Sequence, residues 1–247
     1  MEETIARMTS PDLNSIGFLR SNPNALRYEN QSIDPDDVGP KLASLVSRTG
    51  RVLDVGCGTG SVTEIIKART GTEVIGIEPD PARQAMAVAR GLNVHRGLLT
   101  EEFLRDHGPF ETILFADVLE HLPSPGEILL IAKKGLAPGG AIVASVPNVA
   151  HFFVRMNLLF GRFEYSESGI MDATHLRWFT ERNLHTFFAN IGLAVTDHLY
   201  TVNTNMPEYG RRPWRWLPYK MKLIRIMVRL FPKLFGCQHV VRVKPIA

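Results

Sequence analysis

Val52-Leu53-Asp54-Val55-Gly56-Cys57-Gly58-Thr59-Gly60 is the stretch on which the reading of this chain turns. A short apolar strand carries an acidic residue near its end, and three glycines follow at alternate positions. Glycine lets the backbone turn sharply and lets a bound molecule approach the main chain, with the N-terminus of the next helix beneath it. The stretch therefore reads as a loop for a nucleotide-type cofactor. A dinucleotide fingerprint, Gly-x-Gly-x-x-Gly counted from Gly56, would need glycine at position 61, where Ser61 stands. The pattern is instead Asp54-x-Gly56-x-Gly58-x-Gly60, and the next strand, Val74-Ile75-Gly76-Ile77-Glu78, ends in a carboxylate able to accept both hydroxyls of a ribose.

Working outward, strands and helices alternate. Strands are predicted at 51–55, 73–78, 93–95, 112–115, 141–146, 194–202 and 238–243. Between them, Val62, Ile65 and Ile66 share one helical face, Asp80-Pro81 caps a helix that Gly91 ends, and Ser124-Pro125-Gly126-Glu127 has the form of a capping box. Thr180 caps a helix whose Leu184, Phe187, Phe188 and Ile191 repeat at helical spacing, and Gly192 stops it. Such alternation predicts an α/β fold, a parallel sheet with helices on both faces and ligands at the carboxyl ends of its strands. Residues 1–35 read as a loosely structured arm followed by a helix over 36–47.

A chain of 247 residues, 45% hydrophobic and 21% charged, suffices for one elaborated α/β domain. Met1 to Arg7 carry Glu2 and Glu3 without an apolar run, which does not resemble a secretory signal. Cys57 and Cys237 offer neither a metal spacing nor a disulfide framework, so a reducing, cytoplasmic setting is expected. Gly135 to Val154 lacks charged residues, yet Pro138-Gly139-Gly140 and Pro147 divide it into turn, strand and turn rather than a membrane span. The net charge of +3 hides an asymmetry: from Arg211 onward there are ten Lys or Arg and no Asp or Glu, leaving −7 on the first 210 residues. An anionic partner would bind the basic end.

From roughly Arg51 to Leu193, carried by the glycine loop and Glu78, the chain resembles the class I S-adenosylmethionine-dependent methyltransferases. The resemblance implies a Rossmann-like, seven-stranded, mostly parallel sheet with an antiparallel final strand. It implies S-adenosylmethionine as cofactor, held by Asp54, Gly56, Cys57, Gly58, Gly60, Glu78 and Pro79, with Leu98 and Leu99 against the adenine and Asp117 serving the cofactor. It divides the chain into an N-terminal arm and helix at 1–48 and a methyltransferase domain at 49–247, with insertions at about 148–179 and 203–236. Tyr28, in the segment before the core, becomes a candidate lid residue or an aromatic that anchors the arm.

Asp117-x-x-Glu120-His121 puts two carboxylates and an imidazole at i, i+3 and i+4, on one face if helical. An acid, acid, histidine group reads as a divalent-cation site or as a general base held by carboxylates; the alternative is a histidine that is merely hydrogen-bonded. The later Thr174-His175-Leu176-Arg177-Trp178-Phe179-Thr180 resembles the histidine segment of ubiquinone-biosynthesis O-methyltransferases and of small-RNA terminal 2′-O-methyltransferases. By that resemblance Asp117, Glu120, His121 and His175 would surround one Mg²⁺, Mn²⁺ or Zn²⁺, and His121 and His175 would be catalytic. Asp117 is one methylene shorter than the family's usual Glu. The wider pattern of Pro147-Asn148, His151, a Leu- and Phe-rich insertion and Asp172-x-Thr174-His175 is most similar to bacterial methyltransferases of polysaccharide and glycolipid assembly.

The expected function is methyl transfer to a hydroxyl of a small-molecule or lipid-linked acceptor of sugar, glycolipid or polyprenyl type. An RNA ribose 2′-O-methyltransferase is the alternative enzyme, but no stretch alternates basic and aromatic residues as single-strand readers do, so nucleic acid is not the expected partner. A non-catalytic, membrane-associated scaffold is the alternative of another class. Over 211–235, Lys222, Arg225, Arg229 and Lys233 share one helical face and Leu223, Ile224, Met227, Val228 and Phe231 the other, with Trp214 and Trp216 upstream and Pro232 at the end. That segment would lie on an anionic inner membrane surface, or else pack its apolar face on the fold.

Overall fold

The computed structural model describes residues 32–203 and 219–246. Tyr28 with the rest of the arm, and the Arg211 to Trp216 group, lie outside the described residues. Seven strands form one sheet: β1 (Arg51–Val55), β2 (Glu73–Glu78), β3 (Asn93–Arg96), β4 (Phe110–Ala116), β5 (Leu136–Pro147), β6 (Leu193–Tyr200) and β7 (Gln238–Pro245). Their order is β3-β2-β1-β4-β5-β7-β6. The first five are mutually parallel, and β7 enters between β5 and β6, antiparallel to both. The order reverses between β1 and β4, and the crevice beyond their carboxyl ends is the place where open α/β sheets bind ligands.

Helices α1 (Val38–Leu45), α2 (Ser61–Thr70), α3 (Pro81–Ala89), α4 (Glu101–His107), α5 (Pro125–Lys134), α6 (Phe152–Leu159), α7 (Glu181–Asn190), α8 (Lys220–Leu230) and α9 (Pro232–Phe235) surround the sheet. Strand alternation divides the core between its two faces. Leu53, Ile113, Phe115 and Ile142 pack with Leu129, Leu184 and Phe188 of α5 and α7, whereas Val52, Leu114 and Val143 pack with Leu42 of α1 and Ile66 of α2. The N-terminal helix is thus part of the same core as β1.

Local chemistry sets most boundaries. Asp80 accepts from the Arg83 amide at the start of α3, and Thr180 forms a full capping box with Asn183 on α7. Ser124 does not: its side chain makes no capping bond, and Pro125 at the first helical position starts α5 instead. The turn expected at Pro138-Gly139-Gly140 is part of β5, which extends back to pair Leu136 with Phe110 across a register shift. Gly140 permits it, because a Cβ there would sit 2.9 Å from the Ala137 carbonyl oxygen and 3.1 Å from that of Phe110.

The basic C-terminal segment divides its apolar face. Ile224 and Val228 are buried against Val154 of α6, Val202 and Cys237. Leu223, Ile226, Leu230 and Phe231 are exposed. Arg225 is bound to Asp34 and Asp36 and Lys233 to Glu181, so these two expected surface cations belong to the fold. Phe231 and Pro232 break the helix into α8 and α9.

Candidate active site

The glycine loop turns exactly where β1 ends, because Gly56, Gly58 and Gly60 all have positive φ (69°, 57° and 82°). At Gly56 and Gly60 the missing Cβ makes room for the protein itself: Val118 Cγ2 would lie 2.9 Å away and Leu92 Cδ1 2.3 Å. At Gly58 a Cβ would meet nothing within 4 Å, so that glycine faces open space at the head of the crevice. Glu78 lies beside it. The Gly58 amide donates to Glu78 Oε2 (2.8 Å) and the Asp80 amide to Oε1 (2.9 Å), which fixes a buried carboxylate whose remaining lone pairs can accept ribose hydroxyls. Asp54 is buried at the base of the loop, with Oδ2 accepting from Thr63 Oγ1 at 2.6 Å and Oδ1 without a protein partner among the described residues. Burial raises its pKa to about 7, opposed by the Thr63 bond and reinforced by the Glu78 charge.

The other expected cofactor residues separate. Cys57 turns its side chain into a cluster with Ala87, Leu92 and Val94, over Gly76, and burial holds its thiol protonated; only its backbone belongs to the loop. Leu99 is a core residue, whereas Leu98 is 70% exposed at the end of β3 and Pro79 is exposed just past β2. Asp117 directly follows β4 with φ of 54° and accepts from Ser145 Oγ (2.6 Å) and Gln238 Nε2 (2.8 Å). Neither partner was suggested by the sequence, since β5 and β7 meet Asp117 only through strand order.

Asp117, Glu120 and His121 do not share a helix face, because only Leu119–His121 form a turn, of 3-10 type, and Asp117 lies before it in the left-handed region. The chain then folds back: the Leu176 and Arg177 amides donate to the Glu120 carbonyl oxygen (2.7 and 3.0 Å), bringing His175 against His121 with ring centroids 4.9 Å apart. Ligand atoms of Glu120, His121 and His175 lie within 4.8 Å of one another, and Asp117 is not in that group. Asp172 Oδ1 accepts from Thr174 Oγ1 at 2.7 Å, so the hydroxyl can accept from His121 Nδ1, 3.2 Å away; the Thr174 carbonyl oxygen lies at the same distance. His175 Nδ1 lies 3.0 Å from the Ile170 carbonyl oxygen. Both rings therefore carry Nδ1–H and keep their lone pairs on Nε2. Glu120 is fully buried, and neither carboxylate oxygen has a hydrogen-bond partner among the described residues. Burial raises its pKa well above the carboxylate range, and the charges of Asp117 and Asp172 add to this. Such a carboxyl either keeps a proton or faces a cation.

His151 and Asn148, part of the pattern that suggested the acceptor class, are structural here. His151 is buried, caps α6 by accepting from the Phe153 amide, and has its pKa lowered to about 4 by burial. Asn148 donates to the Gly236 carbonyl oxygen at 2.8 Å and ties the loop after β5 to the start of β7.

Comparison with known proteins gives the family and the fold. Residues 29–198 match the family model described as a methyltransferase domain. A ubiquinone biosynthesis O-methyltransferase of Pseudomonas fluorescens is 34% identical over 187 residues, 71% of this chain and 78% of that enzyme. The like-named enzyme of a Caulobacter species is 35% identical over 104 residues, a match covering 40% of this chain and 41% of that protein. A similar match spans 42% of the Idiomarina loihiensis enzyme. Among solved structures, a SAM-dependent methyltransferase from Archaeoglobus fulgidus aligns with a TM-score of 0.55 at 19% identity, covering 83% of this chain and 90% of that one. The Burkholderia thailandensis 1,6-didemethyltoxoflavin-N1-methyltransferase, solved with S-adenosylhomocysteine, aligns at 0.53 and 18%, covering 86% and 80%. The family model covers more than half of the sequence, on the strand order and glycine loop already described: the chain belongs to the class I S-adenosylmethionine-dependent methyltransferases.

Proposed function

We propose that this protein transfers a methyl group from S-adenosylmethionine to a hydroxyl oxygen of a sugar, glycolipid or polyprenyl-type acceptor. The observation that carries the reading is the group Glu120, His121 and His175 following Asp117 at the carboxyl end of β4. S-adenosylmethionine, when bound, supplies a methyl group made electrophilic by a sulfonium. The open space at Gly58, the tethered Glu78 carboxylate and the unpartnered Asp54 Oδ1 fit such a cofactor. Glu78 would accept the ribose hydroxyls, and the backbone at Gly58 would let the cofactor lie close.

The remaining task is to hold the acceptor hydroxyl in line and take its proton. His121 and His175 each present a lone pair on Nε2 to do so, with Thr174 and Ile170 fixing their tautomers. A divalent cation also fits, because an orphaned buried carboxyl beside two imidazole lone pairs is a ligand set in want of positive charge. Glu120, His121 and His175 would hold it, and it would lower the pKa of the acceptor hydroxyl. The O-methyltransferase names of the curated relatives support oxygen as the acceptor atom.

Attachment to an anionic membrane surface belongs to the same reading. Leu158, Leu159 and Phe160 at the end of α6 are exposed, as are Leu223, Ile226, Leu230 and Phe231 of α8, with Lys222 and Arg229 among them. Among the described residues no helix is long and apolar enough to cross a membrane. The acceptor chemistry is tested by incubating the protein with isotope-labelled cofactor and extracts separated into lipid, saccharide and RNA fractions. Label should enter lipid or saccharide as an ether methyl seen by mass spectrometry. Label confined to RNA, or to nitrogen, overturns the reading. Chelation should abolish transfer and Mg²⁺, Mn²⁺ or Zn²⁺ restore it; full activity after exhaustive chelation would leave the histidines as plain general bases.

A further inference from the structure

On the edge of the sheet away from Glu120, α7, β6 and β7 bring a second set of donors together. Glu181 and His185 stand at i and i+4 on α7, hence on one face. His198 and Tyr200 stand at i and i+2 on β6, likewise on one face. His239 lies opposite Tyr200 on β7. Ligand atoms of Glu181, His185 and His198 all lie within 4.8 Å of one another.

We propose that Glu181, His185 and His198 form a second divalent-cation site, suited to Zn²⁺ and similar ions, that ties α7 to the edge strand β6. His185 Nε2 and His198 Nδ1 point at each other across 2.9 Å. Two imidazole nitrogens at that distance share one proton or flank one cation. Two Zn–N bonds of about 2.05 Å at the tetrahedral angle hold their nitrogens roughly 3.3 Å apart, so a small outward movement admits the ion. Two imidazoles and a carboxylate favour zinc, cobalt or nickel over Mg²⁺ or Ca²⁺, here as in the like-composed group at Glu120, His121 and His175.

The surroundings supply the outer support such a site needs. His198 Nε2 lies 3.0 Å from Nδ1 of the fully buried His239, so a proton on His198 Nε2 is accepted there and Nδ1 keeps its lone pair for the ion. Tyr200 stacks on His198, with centroids 4.7 Å apart and planes 11° apart, which fixes the ring orientation. The proton between His185 and His198 moves to the surface nitrogen of His185, so all three rings stay neutral. Without an ion, Glu181 is held by the Tyr200 hydroxyl on Oε2 and by Lys233 at 3.0 Å on Oε1. Lys233 is 71% exposed and can turn to solvent when the ion takes that oxygen.

The test uses the full chain carrying His121→Ala and His175→Ala, so that the Glu120 group cannot contribute. Metal-depleted protein is titrated with Zn²⁺ by calorimetry and with Co²⁺ by visible absorption. The expected result is one equivalent bound, the intense d–d bands of four-coordinate Co²⁺ and a raised melting temperature. Adding His185→Ala should weaken binding more than about 100-fold, and His239→Phe by about 10–100-fold. His185 is at the surface, so circular dichroism of that variant should match its parent. Absence of Zn²⁺ binding in the parent, or binding unchanged by His185→Ala, overturns the proposal.

Discussion

Gly58 illustrates how one residue separates folding from binding. A side chain there meets no neighbour within 4 Å, so Gly58→Arg has room to fold at the strain of a positive φ, roughly 1–2 kcal/mol. The same side chain fills the approach to the cofactor cleft, so S-adenosylhomocysteine binding by calorimetry should vanish while the far-ultraviolet spectrum is kept. Glu78→Ala removes a carboxylate tethered by two amides and should weaken binding at least about tenfold, the loss expected of a charge-assisted hydrogen bond. Asp54 predicts a pH dependence. Its folded pKa of about 7 lies above the unfolded value, so its contribution to stability is fully present below about pH 4 and is lost as the pH rises through 7. Urea unfolding of wild type and Asp54→Asn should show the wild type losing about 2 to 3 kcal/mol relative to the variant between about pH 5 and pH 8. A pH-independent difference would mean that Asp54 is ionised throughout.

At the scale of elements, helix starts and the C-terminal helix behave differently from their sequence patterns. Thr180 makes both bonds of a capping box and Ser124 makes none, although both stretches have a capping sequence. Thr180→Ala should therefore cost about 1 kcal/mol in chemical denaturation, and Ser124→Ala only a few tenths. On α8, Arg225 reaches Asp34 and Asp36, whereas Lys222 and Arg229 lie at the exposed apolar surface. Arg225→Glu should destabilise the fold by about 1 kcal/mol, a value kept small because the pair is partly exposed and screened. Lys222→Glu with Arg229→Glu should leave the melting temperature unchanged and reduce sedimentation with anionic vesicles at low salt, since basic groups near such a surface contribute roughly 1 kcal/mol each. If wild type stays in the supernatant at low salt, the membrane reading of this helix fails.

For the whole molecule, the proposed cofactor binding and stability are linked, because a ligand held only by the folded chain stabilises it, and Asp54 of β1, Glu78 of β2 and Asp117 just after β4 come from three neighbouring strands. At 100 times its Kd, S-adenosylhomocysteine should stabilise the fold by about 2.7 kcal/mol, read as a higher melting temperature that Gly58→Arg does not show. The fold was largely readable from sequence, since strand and helix periods are local properties: β1 and β2 begin and end where predicted, and the antiparallel last strand follows the resemblance. The glycine loop was readable for the same reason, each positive φ having its own glycine. The partition of the acidic and histidine residues was not. Spacing alone set Asp117 with Glu120 and His121, but Gln238, 121 residues away in sequence, and Ser145 take its carboxylate. Thr174, 53 residues from His121, sets that ring's tautomer. The Glu181, His185 and His198 group left no sequence signal, since its donors come from a helix and the strand after it, and no spacing rule says which face of one turns to which face of the other. The sequence by itself determined which segments are strand, helix and glycine-rich turn, because those depend on neighbours a few residues away. Only the tertiary structure decided which charges face one another, because that depends on strand order and on how the loop of 170–180 folds back over Glu120.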